Sequence, residues 1–147
     1  GYKRYEISNY AKKGYHSRHN TSYWERIPYL GFGVGASSLF GNERHDNVGN
    51  LKEYIKNAGI SDIRRNITRL SLEDEMSEFM FLGLRLTDGV SKVNFSQNFT
   101  FTVEEIFGDV VKKHINNALL IDNGDSLKLS DRGIDISNYV LSDFLPD

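Results

Sequence analysis

Arg18, His19, Asn20, Tyr23 and Trp24 fall within the run R-H-N-T-S-Y-W at 18–24, which holds the only tryptophan of the chain. An imidazole beside two large amphipathic rings and a cation can grip a ligand that is flat, aromatic and charged. Imidazole is a common axial ligand of haem iron, and aromatic faces favour stacked contacts. Arg18, with Lys12 and Lys13 nearby, can pair with propionate carboxylates. The same residues can also serve packing alone. Asn20 can close an Asx-turn, Trp24 can fill a core, and His19 can bond a carbonyl, the commoner fate of a loop histidine. Residue types leave both readings standing.

Other constellations carry less. His16 and His19 are three apart without the Glu-containing H-E-x-x-H spacing of a zinc hydrolase. His114, next to Lys113 in a helical stretch, is expected to face solvent. The stretch Y-L-G-F-G-V-G-A at 29–36 formally contains G-x-G-x-x-A at Gly31, Gly33 and Ala36. A dinucleotide site needs a helix opening directly after it, so that amide dipoles meet the pyrophosphate. The turn-rich S-S-L-F-G-N-E-R that follows argues against one. The bare backbone of Gly31, Gly33 and Gly35 suits close approach by another chain or a different cofactor. There is no G-x-S-x-G elbow and no phosphate-binding P-loop. The absence of cysteine excludes disulfides, zinc-thiolate sites and an iron–sulfur cluster held by this chain's own thiolates, and it suits a cytoplasmic setting.

These residues need elements to hold them. The 147 residues suffice for one domain or two small pieces, and 39% hydrophobic with 26% charged is a globular composition. The longest apolar run, F-M-F-L-G-L at 79–84, is too short to span a bilayer. The chain opens with Gly1 rather than Met and is read as a piece of something longer. Charge divides it: residues 1–70 hold 12 Lys/Arg against 6 Asp/Glu, and residues 71–147 hold 6 against 14. Two unlike parts are therefore expected.

Residues 2–8 have strand composition with Tyr5 and Ile7 on one face. Residues 9–24 look too polar for regular structure. Leu30, Phe32 and Val34 alternate with glycines, residues 41–50 read as loop, and 51–58 as a short helix closed by Gly59. The sequence divides into a segment 1–58, a linker 59–70 and a module 71–147. In that module a cap at Ser71 opens a helix to about Leu86, and a second short helix follows Ser91. Thr102 with Glu105 forms a capping box before a stripe of Ile106, Val110, Val111, Ile115 and Ala118. An N-G turn in L-L-I-D-N-G-D-S-L-K-L at 119–129 signals a β-hairpin. Ser130 caps a last helix with Ile134, Leu141, Phe144 and Leu145 inward. The expected fold is α+β, ending in a mostly helical, winged-helix-like module with one hairpin. Nucleic acid is not an expected partner, because the module is acidic and Arg132 is the only cation of its final helix.

The run Y-E-I-S-N-Y-A-K-K-G-Y-H-S-R-H-N-T-S-Y-W at 5–24, with Y-L-G-F-G-V-G-A, N-L-K-E-Y, E-F-M-F-L-G-L-R-L-T-D-G-V and L-K-L-S-D-R-G, resembles the C-terminal part of the HemW-type radical SAM proteins. These haem chaperones have been labelled oxygen-independent coproporphyrinogen III oxidases or oxidase-like. The H-N-x-x-Y-W element at 19–24 is the most specific piece. The resemblance implies an N-terminal radical SAM barrel outside this chain that binds S-adenosyl-L-methionine and a [4Fe–4S] cluster. The first segment would then be the edge of that barrel. Haem binding is implied for His19 (as iron ligand), Asn20, Tyr23 and Trp24. Gly31, Gly33 and Gly35 would shape the neighbouring barrel-side site. A haem-accepting protein is the implied partner, a homodimer of the fragment is a further expectation, and anaerobic coproporphyrinogen III oxidation is the competing activity. Lys13 stands where relatives often have Pro, and Ser37 where many have His.

Overall fold

The computed structural model describes residues 1–146. Along the chain, β1 (Lys3–Arg4) and β2 (Tyr10–Ala11) precede α1 (Arg18–Trp24). Then come β3 (Ser37–Phe40), β4 (Glu43–Asn47), α2 (Leu51–Asn57) and β5 (Arg64–Arg69). The remainder is α3 (Leu72–Gly83), β6 (Val90–Ser91), α4 (Lys92–Phe99), α5 (Val103–Asn116), β7 (Leu120–Asp122), β8 (Ser126–Leu129), α6 (Asp131–Asp135) and α7 (Ser137–Ser142). The class is α+β. The elements form two compact units: Gly1–Ile27 joined by the stretch from Leu72 onward, and Pro28–Ser71.

The larger unit is built around one core. Met80, Leu84, Phe95, Val103, Leu127, Val140 and Phe144 lie in it, each almost wholly buried. Phe79, Phe95, Phe99, Phe107 and Phe144 contact one another in sequence at centroid distances of 4.9–6.2 Å, mostly edge to face. Such pairs add about 0.5–1.5 kcal/mol each beyond the area they bury. The Thr102–Glu105 box is formed from both sides and starts α5. The hairpin pairs Leu120 with Leu129 and Asp122 with Leu127. The short strand β6 joins β8 to give a three-stranded antiparallel sheet in the order β6-β8-β7. Gly133 lies so close to the residue preceding β7 that a Cβ there would stand 2.1 Å from the Leu119 carbonyl oxygen. At the N-terminus β1 pairs with β2, and Glu6, between the two strands, forms an antiparallel bridge with Leu86 in the segment that follows α3.

Pro28–Ser71 is a three-stranded antiparallel sheet, β3-β4-β5, with α2 beside it. Its buried apolar set is small, Leu39, Val48 and Leu70, with Ser38 and Asn47 also buried.

Several expectations are corrected. The stretch assigned as linker, 59–70, holds strand β5, and part of the loop 41–50 is strand β4. Both strands are polar (E-R-H-D-N and R-R-N-I-T-R) and lack the alternation that marks a half-buried strand; pairing, not side-chain burial, makes them. Residues 1–27 pack with the C-terminal module rather than forming a body with 28–58. In α5 the buried residues are Val103, Phe107, Val111 and His114, a stripe offset from the expected one, and Ile106 and Ile115 are partly exposed. His114 is therefore fully buried rather than solvent-facing: its Nε2 lies 2.8 Å from the Asp143 carboxylate. The final helix is broken in two at Ile136, and Leu145 stays half-exposed.

Candidate functional site

The run at 18–24 is a helix, not a loop. Ser17 caps it, its hydroxyl accepting the Asn20 amide at 3.2 Å, and this supplies the N-terminal partner that a short polar helix needs. A helix of seven residues that buries none of them cannot be held by propensity or by a core face. Its C-terminal end is tied down instead. Arg26 reaches α3 with Nε 3.0 Å from Glu78 and Nη1 3.2 Å from Glu75. Those pairs also hold Arg26 at φ 54°, a left-handed conformation that costs a non-glycine residue about 1–2 kcal/mol. Trp24 lies under the guanidinium of Arg85, which sits 4.2 Å from the indole centroid.

The helical turn puts His19 and Tyr23, four residues apart, on one side, their rings 4.9 Å apart and nearly perpendicular. His19 is exposed, as is Arg18, while Asn20 and Tyr23 are half-buried. Among the described residues the side chains of Arg18, His19 and Asn20 make no hydrogen bond or ion pair. An imidazole with two open nitrogens, set nearly perpendicular to the Tyr23 ring, can donate a lone pair to a metal ion carried by a planar ligand. This donor set fits a haem iron.

Trp24 plays a different part from its neighbours. One face is covered by Arg85, and its Nε1 is buried without a partner. With Phe79, Gly83, Val90, Asn94 and Asn98 it lines a cavity of about 410 Å³ to which His19 does not contribute. His16 stacks flat on the buried ring of Tyr5 at 4.7 Å. Among the described residues no group of three or more His, Cys, Asp or Glu converges as a metal site, and no helix is long and apolar enough to cross a membrane.

The glycine stretch does not extend as a strand. Gly31 is pressed against its own chain, where a Cβ would fall 2.2 Å from the Ser37 carbonyl oxygen. Its carbonyl and that of Gly33 accept from the Asn47 amide at 3.1 and 2.9 Å, and the Gly33 amide donates to the Tyr54 hydroxyl at 3.2 Å. Gly33 and Gly35 take φ of +106° and +66° in the turn that returns the chain to β3. Leu30 and Phe32 are consequently exposed rather than aligned on one strand face.

Residue reasoning missed Arg85, Glu6 and Arg26. The one signal available was a lone cation closing the apolar run F-M-F-L-G-L-R.

Residues 70–136 match the model of the HemN C-terminal domain. The whole chain is 35% identical over 147 residues to the "Heme chaperone HemW" of Lactococcus lactis, covering 38% of that protein. It is 36% identical to the protein of that name from Bacillus subtilis, covering 99% of this chain and 38% of the relative. The chain is thus similar along its length to proteins named as haem chaperone HemW and, over 70–136, to the HemN C-terminal domain, and it spans well under half the length of these relatives. The fold is also that of the Escherichia coli coproporphyrinogen III oxidase HemN, a radical SAM enzyme, at TM-score 0.70 and 15% identity over 98% of this chain and 37% of that one.

Proposed function

We propose that this chain is the haem-binding C-terminal part of a HemW-type chaperone, which takes up haem and hands it to an acceptor protein in the cytoplasm. His19 supplies the axial imidazole, Tyr23 props it, and Asn20 and Arg18 offer a donor and a charge to the porphyrin edge. Trp24 anchors the helix from below. Gly31, Gly33 and Gly35 shape a turn at the edge facing the rest of the protein. S-adenosyl-L-methionine and the [4Fe–4S] cluster belong to that remaining part, since this chain has no cysteine to hold a cluster. The apolar residues left open in Pro28–Ser71 are assigned to contact with it, and in the isolated chain they would promote dimers.

The observation that carries the reading is the state of His19: exposed, on a capped helix, with no competing hydrogen bond. The similarity to two proteins named as haem chaperones supports it. Haem titrated into the full-length protein is expected to give a Soret band of imidazole ligation that is lost in His19→Ala. An unchanged spectrum and affinity in His19→Ala would remove His19 from the account. The competing activity, anaerobic oxidation of coproporphyrinogen III, is read in the same preparation given S-adenosyl-L-methionine and a reductant. No protoporphyrinogen is expected, and its formation would reverse the ranking.

A further inference from the structure

Resting on the haem-binding reading, we infer that Arg85, backed by Glu6, is the positioning residue of the site. Its guanidinium plane fixes the Trp24 indole, and through it the direction in which His19 leaves α1.

The starting point is a carboxylate in an unpromising place. Glu6 is wholly buried. One oxygen accepts the Ser8 amide at 3.0 Å and the Asn9 side-chain amide at 2.5 Å. The other has no hydrogen bond and faces the Arg85 guanidinium at 3.5 Å. Burying such a pair is a poor route to stability, because desolvating both charges offsets their attraction and apolar side chains would serve as well. What the pair provides is a fixed orientation.

The Arg85 backbone is pinned too, its carbonyl accepting the Ile7 amide at 3.0 Å and its own amide donating to Leu82 at 3.1 Å. Held at its root by these backbone bonds and facing Glu6 at its charged end, the guanidinium stands over the indole with its central carbon 4.2 Å from the ring centroid. Trp24 is the last residue of a helix with no buried residue, so no core face orients α1. Arg26 secures the residues beyond the helix, whereas Arg85 acts on a motif residue within it. A lysine at 85 would keep the charge beside Glu6 and lose the plane.

The test uses the full-length protein with Arg85→Lys, Arg85→Ala, Glu6→Gln and His19→Ala. It reads haem affinity, the axial-ligation spectrum and the far-UV thermal midpoint. Arg85→Lys is expected to keep its fold and midpoint, to bind haem about tenfold more weakly, and to show a mixture of ligation states. Glu6→Gln, which removes the charge behind Arg85, is expected to give a smaller loss of the same kind. If Arg85→Ala fails to fold, Arg85→Lys decides the matter. Parental affinity and spectrum in Arg85→Lys, with ligation lost in His19→Ala, would overturn the role of Arg85 and leave the haem reading in place. A weaker Arg85→Lys whose spectrum is unaltered and whose midpoint falls in step would reduce Arg85 to a structural residue. Parental behaviour in all variants, His19→Ala included, would remove both.

Discussion

Residues with similar chemistry have opposite fates here, and surroundings rather than type decide which. His19 is open on a helix that buries nothing, and His114 is closed inside a core. The carboxylate of Asp143 can only accept, so the His114 proton in that contact is assigned to Nε2. Lys113 bonds the same carboxylate at 2.5 Å. Asp143→Ala leaves a fully buried Nε2–H without its acceptor, and a loss of about 1–3 kcal/mol is expected in urea unfolding. An unchanged midpoint would show that water replaces the acceptor. The same carboxyl lies below its ordinary pKa, chiefly through the Lys113 hydrogen bond and then that of His114, against the opposing effect of burial. A lowered folded-state pKa means that this contribution is complete above the unfolded value of about 3.9 and is lost as pH falls through the lower folded value. Acid titration of Asp143→Asn should accordingly show a shallower loss of stability below about pH 4 than the parent does. Identical slopes would contradict that linkage.

Elements whose signals are local were legible, and those made by distant partners were not. Thr102 and Glu105 announce α5 from within four residues, and Asn123-Gly124 announces the hairpin, because caps and turns satisfy backbone groups next to themselves. Thr102→Ala should cost about 1 kcal/mol by thermal unfolding, and no change would mean the box is redundant. β4 and β5 were invisible because ladder pairing, rather than apolar alternation, makes them strands. Choosing between two apolar stripes on α5 needed the partner helices, which no periodicity names. The same limit applies to the site. The motif at 18–24 could be read as a unit, but Arg85, Glu6 and the Arg26 partners reach it from other elements, Glu78 from 52 residues away. α6 shows how tight such distant contacts are. Gly133→Ala would drive a methyl into the Leu119 carbonyl, and a loss of about 1–3 kcal/mol is expected. A fully stable variant would require the hairpin and α6 to separate at no cost.

On the scale of the molecule, the two units differ in how much each can bury. The larger has a continuous core of aromatic and aliphatic side chains. Pro28–Ser71 buries three apolar side chains while Phe32, Leu51, Ile55 and Ile60 stand more than half exposed. Every residue of β5 is exposed. Stability on such a sheet comes mainly from backbone pairing, and backbone bonds open to water are the first to exchange. In the isolated 147-residue chain, amides of β3, β4 and β5 are therefore expected to exchange at least about a hundredfold faster than those of α3 and α5, a local opening rather than a global one. If the open apolar residues meet the rest of the full-length protein, as proposed, protection of 28–71 should rise in that protein while α3 and α5 change little. Uniform protection in the isolated chain would show that the small sheet is stable in its own right. Unchanged exchange of 28–71 in the full-length protein would show that its apolar residues face something other than the remainder of the chain.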